Sequence, residues 1–128
     1  MADIKPKESR LTFALAGTWG LWGVALLALG GHPPATGIAS TGGQFLLFHA
    51  PVIMALALQT RFSGIYKRAA LALLLAGSGA FALEITAHVA YGRAIAGPLA
   101  PIGGGLAMLG WLCVIIGSIR GGDHEPSR

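Results

Sequence analysis

The stretch from Ala69 to Tyr91 constrains this chain most, because it is apolar or small almost throughout. About 20 consecutive apolar residues are what one helix needs to cross the hydrocarbon core of a bilayer. The stretch nevertheless contains Glu84, which is the one acidic residue between Ser9 and Asp123. A carboxylate in lipid costs at least ~2.5 kcal/mol, so we expect Glu84 to face the protein interior and to have a partner there.

The composition indicates that the rest of the chain also lies in a membrane. Of the 128 residues, 54% are hydrophobic and only 11% are charged, and the mean hydropathy is +0.67. Soluble domains carry about 25% charged residues, so this composition excludes an ordinary soluble domain. The length predicts a single domain. A single cysteine, Cys113, excludes a disulfide within the chain and a metal cage built from thiolates.

Hydropathy divides the chain into four apolar runs, and we predict an all-α integral membrane protein, an antiparallel bundle of four transmembrane helices. The membrane domain is predicted to cover residues 11–120, with spans at about 11–29, 43–59, 69–91 and 99–119. Residues 1–10 are predicted to form a polar head, and residues 121–128 a polar tail. The segment Gly30 to Gly43 contains two prolines and five glycines and is predicted to be a loop.

The basic residues predict how the four spans are oriented. One side of the membrane would carry Lys5, Lys7, Arg10, Arg61, Lys67, Arg68, Arg120 and Arg128, and the other side Arg93 alone. Because cytoplasmic loops carry the excess of Lys and Arg, we expect both termini to lie in the cytoplasm. The net charge of +4 does not indicate nucleic-acid binding, since the basic residues flank apolar runs and form no patch.

Small residues recur on one face of the fourth span and, as a slowly drifting stripe, along the first span. In the fourth span, offsets of four, seven and fourteen place one set on a common face, namely Gly103, Ala107, Gly110 and Gly117. In the first span, glycines repeat every three residues at Gly17, Gly20 and Gly23. Small residues let helix backbones approach closely in lipid, so we predict helix-packing contacts at both sets.

Several short segments, taken in order, resemble those of a known family. They are Gly30-Gly31-His32, Phe48-His49, Pro101-Ile102-Gly103-Gly104, Gly110-Trp111 and Gly117-Ser118-Ile119-Arg120. With this order and spacing, the chain resembles, from about Leu11 to Arg120, the small four-span bacterial membrane family catalogued as domain of unknown function 423, also called the transmembrane protein 256 family. The resemblance implies a four-span fold and a location in the bacterial inner membrane, and it brings no established activity.

The third span departs from the pattern of that family. The family tends to have Phe-Ser-Gly-Ser-Leu-Tyr where this chain has the six residues from Phe81 to Thr86, so that only the phenylalanine fits. The resemblance therefore does not account for Glu84 or for His88.

Glu84, His88 and His49 form the candidate membrane-embedded polar site. His88 lies one helical turn after Glu84, on the same helix face. At about 1.5 Å per residue, His49 lies roughly 9 Å, His88 roughly 5 Å and Glu84 roughly 10 Å inward from the outer ends of their spans. The three side chains are therefore expected to meet in the outer half of the membrane.

Three functions are compatible with this site. In the first, Glu84 is neutral or hydrogen-bonds to His49 or His88, and the site only fixes the register of the helices. In the second, these residues relay a proton, a cation or another solute, although the inner half of the spans offers no ionisable residue to continue the path. In the third, His49 or His88 ligates a haem, a pigment or a metal, although the chain has no CxxCH motif.

The chain contains no nucleophile elbow, no HExxH and no P-loop, so we predict that it is not an enzyme. We expect a non-enzymatic accessory or interaction subunit that carries no cofactor and no metal. Its partners would be the lipid bilayer and either other membrane subunits or further copies of the same chain. His32, next to Pro33, is interpreted as a solvated loop histidine.

Overall fold

The computed structural model describes residues 6–60, 62 and 64–120. These residues form four helices, which are α1 (Pro6–Gly30), α2 (Thr36–Leu58), α3 (Ile65–Tyr91) and α4 (Leu99–Arg120). All four are long and apolar enough to cross a membrane. The protein is a multi-pass membrane protein built from a four-helix bundle, as the sequence predicts. The predicted tail, and the first five residues of the predicted head, lie outside the described residues.

Three helices begin earlier than the predicted spans. α2 begins at Thr36 instead of Gly43, so the predicted loop from Gly30 shortens to residues 31–35. α1 already begins at Pro6, and α3 begins at Ile65. Hydropathy marks only the apolar part of a helix, whereas the helix itself continues wherever its polar groups find partners. Thr41 shows how this happens, because its hydroxyl donates to the carbonyl of Gly37 one turn earlier, at 3.0 Å.

The bundle consists of two helix hairpins placed side by side. α1 packs along α2 and α4 packs along α3, while α2 and α3 contact each other in the middle. We call the end with Pro6, Arg120 and the α2–α3 turn the termini end. The opposite end, with the α1–α2 loop and the α3–α4 loop, is the loop end. The central helices are the most buried, since 44% of the apolar segment of α3 is covered and only 17% of that of α4.

α3 and α4 approach to near backbone contact. The buried residues of α4 are Gly103, Ala107, Gly110 and Gly117, the four small residues that share one face in the sequence. A Cβ placed on Gly103 would lie 2.5 Å from the backbone nitrogen of Phe81, and one placed on Gly77 would lie 2.5 Å from that of Ala107. Real Cβ atoms do not approach this closely, so both crossing positions require glycine.

The small-residue pattern of α1 behaves differently. A Cβ on Gly17 or Gly20 would have no atom of the chain within 4 Å, so the prediction of helix packing at these two positions is wrong for the helices of this chain. Gly23 does pack, because its Cβ would lie 3.0 Å from the carbonyl oxygen of Gly43. A repeat of three residues drifts about 60° around the helix at each step, which leaves Gly17 about 120° away from the face that carries Gly23.

Candidate functional site

Glu84 is buried within α3 and binds the α3–α4 loop. Its side chain is only 4% exposed, and its two carboxylate oxygens accept hydrogen bonds from the backbone N–H groups of Ile95 and Ala96, each at 3.0 Å. Both amides lie just before α4 begins at Leu99. An anion at this position also interacts favourably with the positive end of the dipole of α4.

The position of Glu84 defines the path of the α3–α4 loop. Glu84 lies seven residues before the end of α3 at Tyr91, which is about 10 Å along the helix axis. The loop therefore folds back along α3 toward the middle of the bundle to bring its amides to the carboxylate. Backbone N–H groups at such a depth meet little water and need a protein acceptor. Glu84 supplies that acceptor.

Lys67, near the termini end of α3, donates hydrogen bonds to the backbone, whereas Glu84 accepts them. Its side chain is 6% exposed, and its ammonium group donates to the carbonyl oxygens of Ala57 at 3.3 Å and Gln59 at 2.6 Å. These carbonyls lie at the C-terminal end of α2, where the last turn has no intrahelical donors left and the helix dipole is negative. This contact was not predictable from the sequence, because a lysine next to an apolar run is typical of the membrane boundary.

His49 is a buried residue of α2 whose side chain contacts Trp111 of α4. Its Nε2 lies 3.3 Å from the indole nitrogen of Trp111, and its Nδ1 lies 2.6 Å from the carbonyl oxygen of Phe45. An indole N–H can only donate, so Nε2 is the acceptor and Nδ1 carries the hydrogen that it donates to Phe45. Both ring nitrogens of His49 are therefore occupied by groups of the chain itself.

The two other tryptophans connect α1 to α3 in the same manner. The indole N–H of Trp19 donates to the hydroxyl of Ser78 at 2.8 Å, and that of Trp22 donates to the hydroxyl of Thr86 at 2.9 Å. Small polar residues of α3 thus provide acceptors for the large side chains of α1. These two bonds join one helix hairpin to the other without an ionisable group, and the bond from Trp111 to His49 joins the same two hairpins.

The structure gives the three residues of the predicted polar site separate surroundings. Glu84 faces the interior, as expected, but among the described residues no hydrogen bond joins it to His49 or His88. His88 instead lines a cavity at the loop end. Depth along a helix does not specify the direction of a side chain around the axis, and for this reason counting residues did not predict the partners. Within the described part of the chain, no group of three His, Cys, Asp or Glu residues is placed to hold a metal ion.

The chain matches a known protein family. A family described as "Protein of unknown function (DUF423)" matches residues 16–104, from α1 to the first turns of α4. The matched region includes Glu84, Lys67 and both histidines of the predicted site. No curated protein and no solved structure matches the chain.

Proposed function

The chain belongs to the DUF423 family of proteins of unknown function, and we propose that it acts as a non-enzymatic accessory subunit of a membrane complex. Its location in this proposal is the bacterial inner membrane, with both termini in the cytoplasm. The distribution of basic residues supports this orientation, because Arg93 is the one lysine or arginine of the α3–α4 loop and the α1–α2 loop has none.

The observation that carries the proposal is the use of the buried polar side chains. Glu84 binds two loop amides, Lys67 binds two carbonyls at the end of α2, and His49 binds a backbone carbonyl and an indole. A proton relay needs ionisable groups that exchange protons with water or with each other. Polar groups that hydrogen-bond to other groups of their own chain are suited to holding a rigid scaffold.

The outer helices provide surfaces for such a partner. Met108 on α4 is 74% exposed and Leu21 on α1 is 75% exposed, and both lie on apolar faces that no other helix of the chain covers. In a bilayer an apolar face can contact lipid as readily as another helix. The proposal therefore requires an experiment that distinguishes a protein neighbour from lipid.

Photocrosslinking in intact membranes makes this distinction. A photoreactive residue is introduced at Met108 or at Leu21, and a control is placed at Leu74, which is fully buried in the core. We expect at least one exposed position to give an adduct with a second polypeptide, whose mass distinguishes another copy of the chain from a different subunit. The control should crosslink only within its own chain. Adducts with lipid alone at both exposed positions would contradict the accessory role.

The competing functions have their own readouts on the purified protein. In proteoliposomes we expect no ion flux driven by a pH gradient, and a flux that Glu84→Gln abolishes would establish the transport function instead. A visible absorption band that disappears in His49→Ala or His88→Ala would establish a bound haem or pigment.

A further inference from the structure

A cavity of about 440 Å³ opens at the loop end of the bundle. The α1–α2 loop contributes His32, Pro33 and Pro34 to its lining, and the last turns of α3 contribute His88 and Val89. Two histidines from distant parts of the sequence thus line one space. No acidic or basic residue other than these histidines is among the described residues that line it.

The ring of His32 is oriented by the backbone of α1. Its Nδ1 lies 3.1 Å from the carbonyl oxygen of Ala28, which cannot donate, so Nδ1 carries the hydrogen and Nε2 keeps a free lone pair. This arrangement is the usual one for histidines that bind metals, since their second ring nitrogen almost always donates to a carbonyl, a carboxylate or water. Among the described residues no hydrogen bond occupies the ring of His88. His49 differs from both, because both of its nitrogens are engaged.

The depth of the cavity makes it accessible to ions in water. His32 is exposed in the loop, and His88 lies three residues before the end of α3, about 4.5 Å along the axis. Both histidines therefore lie near the loop end of the bundle, where water can provide the remaining ligands. Neutral imidazole suits zinc, copper and nickel, whereas calcium and magnesium require oxygen ligands, which the side chains of the lining do not supply.

We propose that His32 and His88 together bind a divalent transition-metal ion, such as Zn²⁺ or Cu²⁺, at the loop end of the bundle. The site consists of two imidazole nitrogens from the protein, completed by water. It does not depend on the accessory role proposed above, because the ion would bind to an isolated chain as well as to an assembled one.

The test measures Cu²⁺ and Zn²⁺ binding to the intact chain in detergent, purified without a polyhistidine tag. The background variant is His124→Gln, since the fourth histidine stands between Asp123 and Glu125 and could bind metal on its own. We expect one ion per chain by calorimetry. The electron paramagnetic resonance spectrum of bound Cu²⁺ should show coupling to two nitrogens.

Single substitutions identify the ligands. Loss of an outer-shell partner lowers the affinity of a metal site about tenfold or more, and loss of a ligand should lower it at least as much. We therefore expect His32→Gln and His88→Gln each to weaken binding about tenfold or more. Each should also reduce the number of coupled nitrogens from two to one. His49→Gln is the matched control and should leave the affinity unchanged. His32 is exposed, so His32→Gln is expected to fold, and its melting curve verifies this.

Three results would overturn the proposal. The first is that the background variant retains no Cu²⁺ and no Zn²⁺ after desalting. The second is that His32→Gln and His88→Gln bind as the background does. The third is that only one of the two substitutions weakens binding, since a single imidazole is not the proposed pair.

Discussion

At the termini end of α3, Lys67 donates to the carbonyls of Ala57 and Gln59, whereas toward the loop end Glu84 accepts from the amides of Ile95 and Ala96. Both are buried charges that bind the backbone of an adjoining connection. Their signs fit the helix dipoles, because the cation meets the C-terminal end of the preceding helix and the anion lies ahead of the N-terminal end of the next. One helix therefore fixes both of its neighbours with opposite charges.

The two contacts differ in their depth. Lys67 is the third residue of α3, close to the end of the helix, whereas Glu84 lies about 10 Å inside the opposite end. Water can replace a lost partner near the boundary of the membrane but not within its hydrocarbon core. An ionisable residue inside a span can therefore stabilise the fold when a loop folds back and hydrogen-bonds to it.

The largest effect is expected from removing the deeper charge. Glu84→Leu leaves two loop amides without an acceptor, and each hydrogen bond to a charged group contributes about 1.5 to 3 kcal/mol. We expect a loss of about 3 kcal/mol or more in the free energy of unfolding, measured by denaturant titration in detergent micelles. Glu84→Gln should lose less, since an amide oxygen still accepts one of the two bonds. Equal stability of Glu84→Leu and wild type would show that the loop does not depend on this carboxylate.

A smaller effect is expected at the termini end. Lys67→Met keeps the length of the side chain but removes the donor for the α2 carbonyls. A hydrogen bond to a charged group contributes about 1.5 to 3 kcal/mol to the free energy of unfolding, and we expect a loss below this because water partly replaces the missing donor. The matched control is Arg68→Met, one residue along, where the side chain is exposed and a change within about 0.5 kcal/mol is expected. Equal losses in the two variants would indicate a general effect of charge and not the specific contact.

Between the two ends, the contact of α3 with α4 gives the smallest expected effect. A Cβ on Gly110 would lie 2.9 Å from the side chain of Leu74. Overpacking typically costs roughly 1 to 3 kcal/mol, and we expect Gly110→Leu to lower the free energy of unfolding by that amount. Gly17→Leu is the control, because nothing lies within 4 Å of its Cβ. The same unfolding titration checks both. A wild-type unfolding curve for Gly110→Leu would contradict the close contact.

The helices and one of the packing faces were predictable from the sequence. Four apolar runs of sufficient length specify four spans, and offsets of four, seven and fourteen keep Gly103, Ala107, Gly110 and Gly117 on one face. The glycines of α1 were not predictable in the same way, because their three-residue spacing drifts and only Gly23 meets α2. The early start of α2 escaped detection because Thr36 to Gly42 is too polar and too rich in glycine for hydropathy to mark.

The candidate site was predictable only in part. The cost of a charge in lipid correctly predicts that Glu84 is buried, since its exposure is 4%. Its partners were not predictable, because they belong to a loop whose path depends on tertiary structure. That His32 and His88 line one cavity was not predictable for the same reason, since His32 lies in the α1–α2 loop and His88 in the last turns of α3.

Amide hydrogen exchange at Ile95 and Ala96 tests whether Glu84 fixes the α3–α4 loop. Resolved by nuclear magnetic resonance, both amides should exchange slowly in the wild type, although the two residues are exposed. The amide of Arg93 in the same loop serves as an internal control for access of water. In Glu84→Leu we expect Ile95 and Ala96 to exchange as fast as Arg93, with the helices still protected. Rapid exchange of both amides in the wild type, or protection that persists in Glu84→Leu, would contradict the account.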